Sequence, residues 1–446
     1  MKIEDIKVNK ILDSRGECTI EVEILSEGIK EKASVPSGKS KGSYEAISLG
    51  FEEIQKNLKK FLEEVKDIDF KTSIEFDQFL IERAGKNKEK LGANFTLGAS
   101  IVFVRALAKK EGWELWEYLR KEYANLCDLE TNLCELRTNL DEQKANSLCK
   151  VSIPGLIINL IGGGVHSNNN LDFQEYWIIV KTTQINADMI PQINADNKNT
   201  RIDADNDVSN NLRSEYPRES ASKNNISDNP CENPRSSVYE NILEKILYII
   251  KKLEEKLPKA LGRNDEGAFC TNFSDNYEPF VYLREFKNDF KLGADIAANQ
   301  ITKLVNWKRI YEKLKLLEVE YLEDPFKEDE FEKFANLKKE GFKVIGDDLT
   351  VTNVERLKIA LEKDSVDGVV VKPNQVGTIF ETFEFVKLAK GNNLFTVFSH
   401  RSGETNDHWI IDLGIAFNAD FFKIGPPVQG ERISKYNRLL EIYGKI

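Results

Sequence analysis

The sequence has no apolar stretch approaching the roughly 18 residues of a membrane span. Its N-terminus, MKIEDIKVNKILDSRG, is charged from the second residue and has no apolar signal core. Cysteine is sparse and scattered, at Cys18, Cys127, Cys134, Cys149, Cys231 and Cys270, and no CxxC pair occurs. The gaps between Cys127, Cys134 and Cys149 do not fit structural zinc spacing, so reduced thiols are expected. Positive charge is not in excess either: 63 basic against 74 acidic side chains give a net charge of −11. That disfavours nucleic acid or an anionic membrane as a partner. No Walker or dinucleotide fingerprint is present, and SGKSKG resembles a phosphate loop only loosely. These absences lead us to expect a soluble, cytoplasmic protein acting on a small molecule.

With 446 residues, 41% of them hydrophobic, the chain is long enough for two domains. One of them could be a barrel of about 250 residues. Residues 1–35 alternate apolar with polar positions and break at Arg15-Gly16 and Gly28, which predicts a hairpin or meander. VPSGKSKGSYEA has no hydrophobic period and reads as a mobile loop. From about residue 45 to 120, apolar residues recur three and four apart, as on helices. Residues 122–149 look like a helical insertion. Residues 185–236, rich in Asn, Asp and Ser, look like a disordered one, because they offer little burial against the entropy of ordering.

The C-terminal half carries the chemistry. Short apolar runs end in turn at Asp295, Glu323 with Asp324, Asp347, Lys372, His400 and Lys423, about 25 residues apart. A strand, loop and helix need that length, and a parallel strand is reached only through such a crossover. In a (β/α) barrel the strand C-terminal ends open onto one face, so these residues would share a pocket. Each acid alone could be a helix cap. Three in register, followed by a lysine, suit a hard divalent ion such as Mg²⁺. Lys372 follows three valines, and a buried lysine whose pKa is lowered by burial or by Lys423 nearby can act as a base. Arg401 beside Ser402, after His400, suits phosphate. Histidine is scarce, with three in all. Of these, His166 and His400 fall in polar turns. Glu175 and Glu266 follow glycine-rich segments and could form an acid pair in which one pKa is raised.

Together ILDSRG, VPSGKSKGSYEA, LGANFTLGAS, GGVHSNNNLDFQE, DEGAF, LEDPF, GDDLTVTN, VKPNQVGT, SHRSGET and ERISKYNRLL resemble the enolase family. The strings cover most of the chain outside the insertions, and in the family's order. The resemblance implies an α/β fold: an enolase-type (β/α)8-like barrel (151–446) capped by an N-terminal α+β domain (1–121), with an insertion or linker at 122–150. It implies reversible, Mg²⁺-dependent dehydration of 2-phosphoglycerate to phosphoenolpyruvate, with two Mg²⁺ per site. By motif, Asp295, Glu323 and Asp347 would hold the tighter ion and Ser40 the second. Lys372 would be the base, and Glu266 the acid with Glu175 assisting. Lys423 would hold the substrate carboxylate, and His166, His400, Arg401 and Ser402 the rest of the substrate. The departures from the usual pattern, Gly162-Gly163-Gly164 and Asn264-Asp265-Glu266-Gly267-Ala268, flank the acid side, and Lys39 and Lys41 add charge beside Ser40. Family members usually dimerise. The usual contact maps here to Glu21 and Glu441, a like-charged pair that opposes that route. Two other readings stand beside this one: a superfamily lyase for a different acid, and a non-catalytic binding protein.

Overall fold

Alternating burial in the first 35 residues builds an antiparallel meander of β1 (Ile3–Leu12), β2 (Cys18–Ser26) and β3 (Ile29–Val35). This is a computed structural model, and it describes residues 1–39, 42–130, 153–181, 234–259, 261–303 and 305–445. The expected ligand Ser40, most of the 122–150 segment and nearly all of the 185–236 insertion lie outside the described residues. The meander buries Ile6, Val22, Ile24, Ala33 and Val35. Helix α3 (Ala93–Glu111) covers that face. A Cβ at Gly98 of this helix would stand 2.5 Å from the Val22 side chain, so glycine permits the close approach. Around it pack α1 (Phe51–Val65), α2 (Ser73–Ala84) and α4 (Leu115–Glu130). In α1 the buried positions Ile54, Leu58, Phe61 and Val65 follow the helical period.

The second sheet contains a closed eight-stranded barrel. Its strands are β4 (Gly155–Gly162), β5 (Glu175–Val180), β8 (Lys291–Asp295), β9 (Val319–Glu323), β10 (Lys343–Gly346), β11 (Gly368–Val371), β12 (Phe395–Ser399) and β13 (Phe421–Lys423). β13 pairs back onto β4 to close it. Two-residue strands β6 (Gly262–Arg263) and β7 (Phe269–Cys270) form a ribbon beside β4. Most strand pairs are parallel, but β5 is antiparallel to both β4 and β8. That reversal departs from simple βα alternation.

The barrel interior is filled by Ile157, Trp177, Ile179, Tyr321, Ile345, Val370, Val397 and Phe421. Their burial stabilises the ring by about 1.5–3 kcal/mol per large side chain. β8 contributes Gly293 at this level, where an added Cβ would lie 2.9 Å from the Trp177 indole. The large indole and the missing side chain complement each other.

The N-terminal meander docks at the barrel mouth through backbone pairing. Ser37 and Gly403 exchange hydrogen bonds of 2.8 and 2.9 Å, and Ser14 N–H donates to the Glu404 carbonyl at 2.7 Å. Arg105 of α3 is paired with Asp407 at 2.5 Å across the same seam. Glu21 pairs with Lys32, and Glu441 pairs with Arg438 and Lys445, all within the chain.

Candidate active site at the barrel mouth

Register decides which side chains meet. Asp295 ends β8 opposite Glu323 at the end of β9, and Ser399 of β12 lies opposite Lys423 at the end of β13. On antiparallel β5 the order is inverted. Glu175, its first residue, pairs with Gly162 on one side and Asp295 on the other. A strand running the wrong way therefore delivers its opening residue to the mouth where its neighbours deliver their last.

The Lys423 ammonium sits among these acids. It lies 2.9 and 3.0 Å from the two Glu323 oxygens, 3.1 Å from Glu175 and 3.5 Å from Asp295. It also lies 4.7 Å from the centre of the Trp177 ring. The Trp177 indole N–H donates to Glu175 at 2.6 Å, so the top of the barrel core orients the acid. Burial drives Lys423 towards neutrality, but Glu175, Glu323, Asp295 and Glu266 outweigh it and hold its pKa well above the usual value. For Glu323, burial together with Asp295, Asp347 and Glu175 wins over Lys423 and pushes the carboxyl well up.

Lys372 lies on the other side, directly after β11, and its ammonium donates to Asp347. Its backbone N–H is held by the Thr352 hydroxyl at 2.9 Å, which itself donates to Gln375 at 2.7 Å. Val351 and Thr352 stand in the left-handed region (φ 43° and 55°), a strain of about 1–3 kcal/mol each for branched residues. That strained turn fixes the backbone of Lys372 relative to Asp347. Asp324, behind the turn, accepts the N–H groups of Asp347 (3.0 Å) and Asp348 (2.6 Å). Burial and Asp347 raise Asp348 to about 7.

On the opposite side Glu266 accepts from the Asn159 amide at 3.3 Å. His400 is buried, and burial and Arg432 lower its pKa well below the usual value. His166 lies 3.9 Å from Asp265, which is bound at 3.1 Å by Lys39. The Ser402 hydroxyl accepts the Lys39 N–H at 3.0 Å and Arg15 at 3.4 Å. Arg401 is buried and forked onto Glu45 at 3.1 and 3.2 Å. A Cβ at Gly38 would fall 1.8 Å from its guanidinium, so only glycine lets this loop lie against it.

One expected shift is corrected, and one left open is assigned. Lys372 was expected to have a lowered pKa. Burial and Arg401 do lower it, but the Asp347 charge outweighs them and raises it. Of the acid pair, in which one raised pKa was expected, Glu266 is the lowered member. Burial does raise it, yet His166, His400, Lys423 and Arg432 hold it below the usual range. Glu175 is the raised member: burial, Glu266 and Asp295 push it well up against Lys423.

Among the described residues, every predicted site residue lies in this one region, and Ser40 falls outside them. The sequence reading missed Glu45, Asn159 and Trp177. Asn159 had a signal, as the single amide within the apolar run LIINLI of β4. Glu45 had none, because its partner Arg401 is 356 residues away.

The donor set fits a divalent cation. Two ammonium groups, Lys372 and Lys423, face five buried carboxyl groups: Glu175, Glu266, Asp295, Glu323 and Asp347. All the donors are hard oxygens, the ligand type that a divalent ion such as Mg²⁺ takes. The set Asp324, Asp347 and Asp348 also lies within 4.8 Å, but Asp324 spends its oxygens bracing the other two. Several buried polar atoms at the mouth have no hydrogen-bond partner among the described residues: the Asn159 and Gln174 oxygens, His166 Nδ1 and both His400 ring nitrogens. Buried groups of this kind are normally satisfied, so they mark where a polar ligand binds.

Comparison with known proteins agrees. The family model "Enolase, C-terminal TIM barrel domain" matches residues 150–446, and "Enolase, N-terminal domain" matches residues 3–119. The chain is 33% identical to the enolase of Sulfurisphaera tokodaii, over 99% of this chain and 95% of that one. It is 31% identical to the enolase of Saccharolobus solfataricus, over 99% and 96%. No described helix is long and apolar enough to cross a membrane. By model and by relatives together, the chain belongs to the enolase family of hydro-lyases.

Proposed function

We propose that this protein interconverts 2-phosphoglycerate with phosphoenolpyruvate and water, in the cytoplasm. The observation that carries the reading is the opposition of Lys372, fixed by its strained turn, to the Glu175 and Glu266 pair across one mouth. Removing a proton and expelling a hydroxyl from neighbouring carbons needs a base and an acid on opposite sides.

Lys372 takes the proton beside the substrate carboxylate, and Lys423 holds that carboxylate. Arg401, Ser402, His400 and His166 hold the phosphate end, where the orphaned imidazole nitrogens find partners. Glu266 protonates the departing hydroxyl. Substrate anions engage the cations that hold Glu266 down, so its pKa rises on binding and the proton stored on Glu175 can pass to it. Asp295, Glu323 and Asp347 would hold one Mg²⁺, and Ser40 a second. When bound, the ions supply the concentrated positive charge that removing a proton beside a carboxylate demands. A cation drawing on Asp347 would also relieve the pairing that keeps Lys372 protonated.

The same reading divides the chain into a capping domain (1–121), a linker (122–150) and a barrel domain (151–446) carrying the 185–236 insertion. Because Glu21 and Glu441 already have partners within the chain, we do not expect dimerisation through that contact. The deciding experiment mixes protein, 2-phosphoglycerate and Mg²⁺ and follows the ultraviolet absorbance of the new enol double bond. A Mg²⁺-dependent rise that Lys372→Ala abolishes is expected. No rise from folded protein would overturn the reading.

A further inference from the structure

We infer that Glu45 is a positioning residue for Arg401 and sets the affinity of the site for phosphate. The inference rests on Arg401 being the phosphate holder.

The Glu45 side chain is only 8% exposed, and that of Arg401 3%. The two carboxylate oxygens each take a different terminal nitrogen of the guanidinium: Oε1 with Nη2 at 3.1 Å and Oε2 with Nη1 at 3.2 Å. Nη1 also donates to the Asn374 side-chain oxygen at 3.0 Å. A two-point contact fixes both the place and the plane of the fork, which one hydrogen bond cannot do.

Glu45 is itself held. Its Oε1 accepts the Gly42 N–H at 3.2 Å and the Gln375 amide at 3.3 Å. The Ala46 N–H donates to the Gln375 carbonyl at 2.8 Å. Gln375 then reaches Asp347, at 3.3 Å. One buried carboxylate therefore ties the segment after the glycine-rich loop to the turn after β11 and to Arg401. Without it, a buried guanidinium would lose the counter-charge that contacts both its terminal nitrogens, and with it the edge contact that aims it. A plain salt bridge at the surface would do neither.

The test is direct binding of inorganic phosphate, followed by phosphorus NMR titration in the presence of Mg²⁺, so it does not depend on turnover. Wild type, E45Q, R401K and the double variant are compared. E45Q is close to isosteric but cannot accept from both nitrogens. It should weaken phosphate binding about tenfold or more, within the range for unpairing a buried charge. It should also raise KM for 2-phosphoglycerate more than it lowers kcat. In the R401K background the second substitution should add nothing, because Glu45 acts through Arg401. Phosphate affinity unchanged in E45Q, losses that simply add in the double variant, or no phosphate binding by wild type would each overturn the inference. If E45Q does not fold by circular dichroism, E45D keeps the charge while shortening the reach by one methylene. The same weakening is expected from it, and unchanged affinity would count against the inference. Failure of 2-phosphoglycerate turnover with phosphate binding intact would count against the proposed reaction alone.

Discussion

The two sides of the mouth are built by different rules. On the lysine side, β8 to β13 run parallel and each delivers its last residue, or the one just beyond, to the site. On the acid side, β5 runs backwards and Glu266 sits on a turn between two-residue strands. The lysine side gains precision from repetition. The acid side gains a proton donor facing the base, which eight identical βα units would not provide at that place. Charge follows the same division. Asp347 is tied to Lys372, and Asp295 and Glu323 to Lys423, whereas the acid pair is pushed apart, Glu175 up and Glu266 down.

Breaking the lysine side should cost most. Lys372→Ala should lower kcat by about a thousandfold or more. The circular dichroism spectrum should stay unchanged, since the backbone of Lys372 is held by Thr352 rather than by its own side chain. Chelation by EDTA should abolish turnover, and added Mg²⁺ should restore it. Rising Mg²⁺ should also shift the lysine-controlled limb of the pH–rate profile to lower pH, as Asp347 is drawn away from Lys372. A limb insensitive to Mg²⁺ would argue against Asp347 as a ligand.

On the acid side, Glu266→Gln should lower kcat about a hundredfold or more, and Glu175→Gln about tenfold, because a neutral amide keeps the uncharged state of the protonated carboxyl but not its proton. If Glu175→Gln proves the more damaging, Glu175 itself is the donor.

The seam between the two domains provides a comparison away from the chemistry. Asp77 of α2 is wholly buried and accepts the Phe380 N–H of the barrel domain at 2.8 Å. Burial raises its pKa to about 7. A carboxyl that binds its proton more tightly when folded loses stability as pH rises from its ordinary value towards 7, with no further loss above that. Asp77→Asn should remove this decline, so thermal unfolding of variant and parent should diverge between about pH 4 and pH 7. Deleting residues 186–233 should have the smallest effect, changing turnover by less than about twofold, since closure entropy grows slowly with loop length.

The legibility of the site follows the same boundary. Strand ends at even spacing made Asp295, Glu323, Asp347, Lys372 and Lys423 readable from periodicity, and the barrel with them. Glu175 could be flagged only as an acid after glycines, because nothing local tells that its strand runs backwards. The pKa direction of Lys372 was misjudged, and which of Glu175 and Glu266 is raised was left open, for a different reason. They depend on which charges lie nearest in space, and Asp347 and Arg432 come near only once the barrel has closed. The capping helices and the meander were plain, since each carries its own period.

The polarity of β5 has one more consequence. Val180, its last residue, pairs with Leu156 near the start of β4, at the floor of the barrel. Val180 therefore stands at the floor of the ring, a full strand length from the chemistry. A fluorophore attached at Lys181 would report from the floor of the barrel, at the end remote from the mouth.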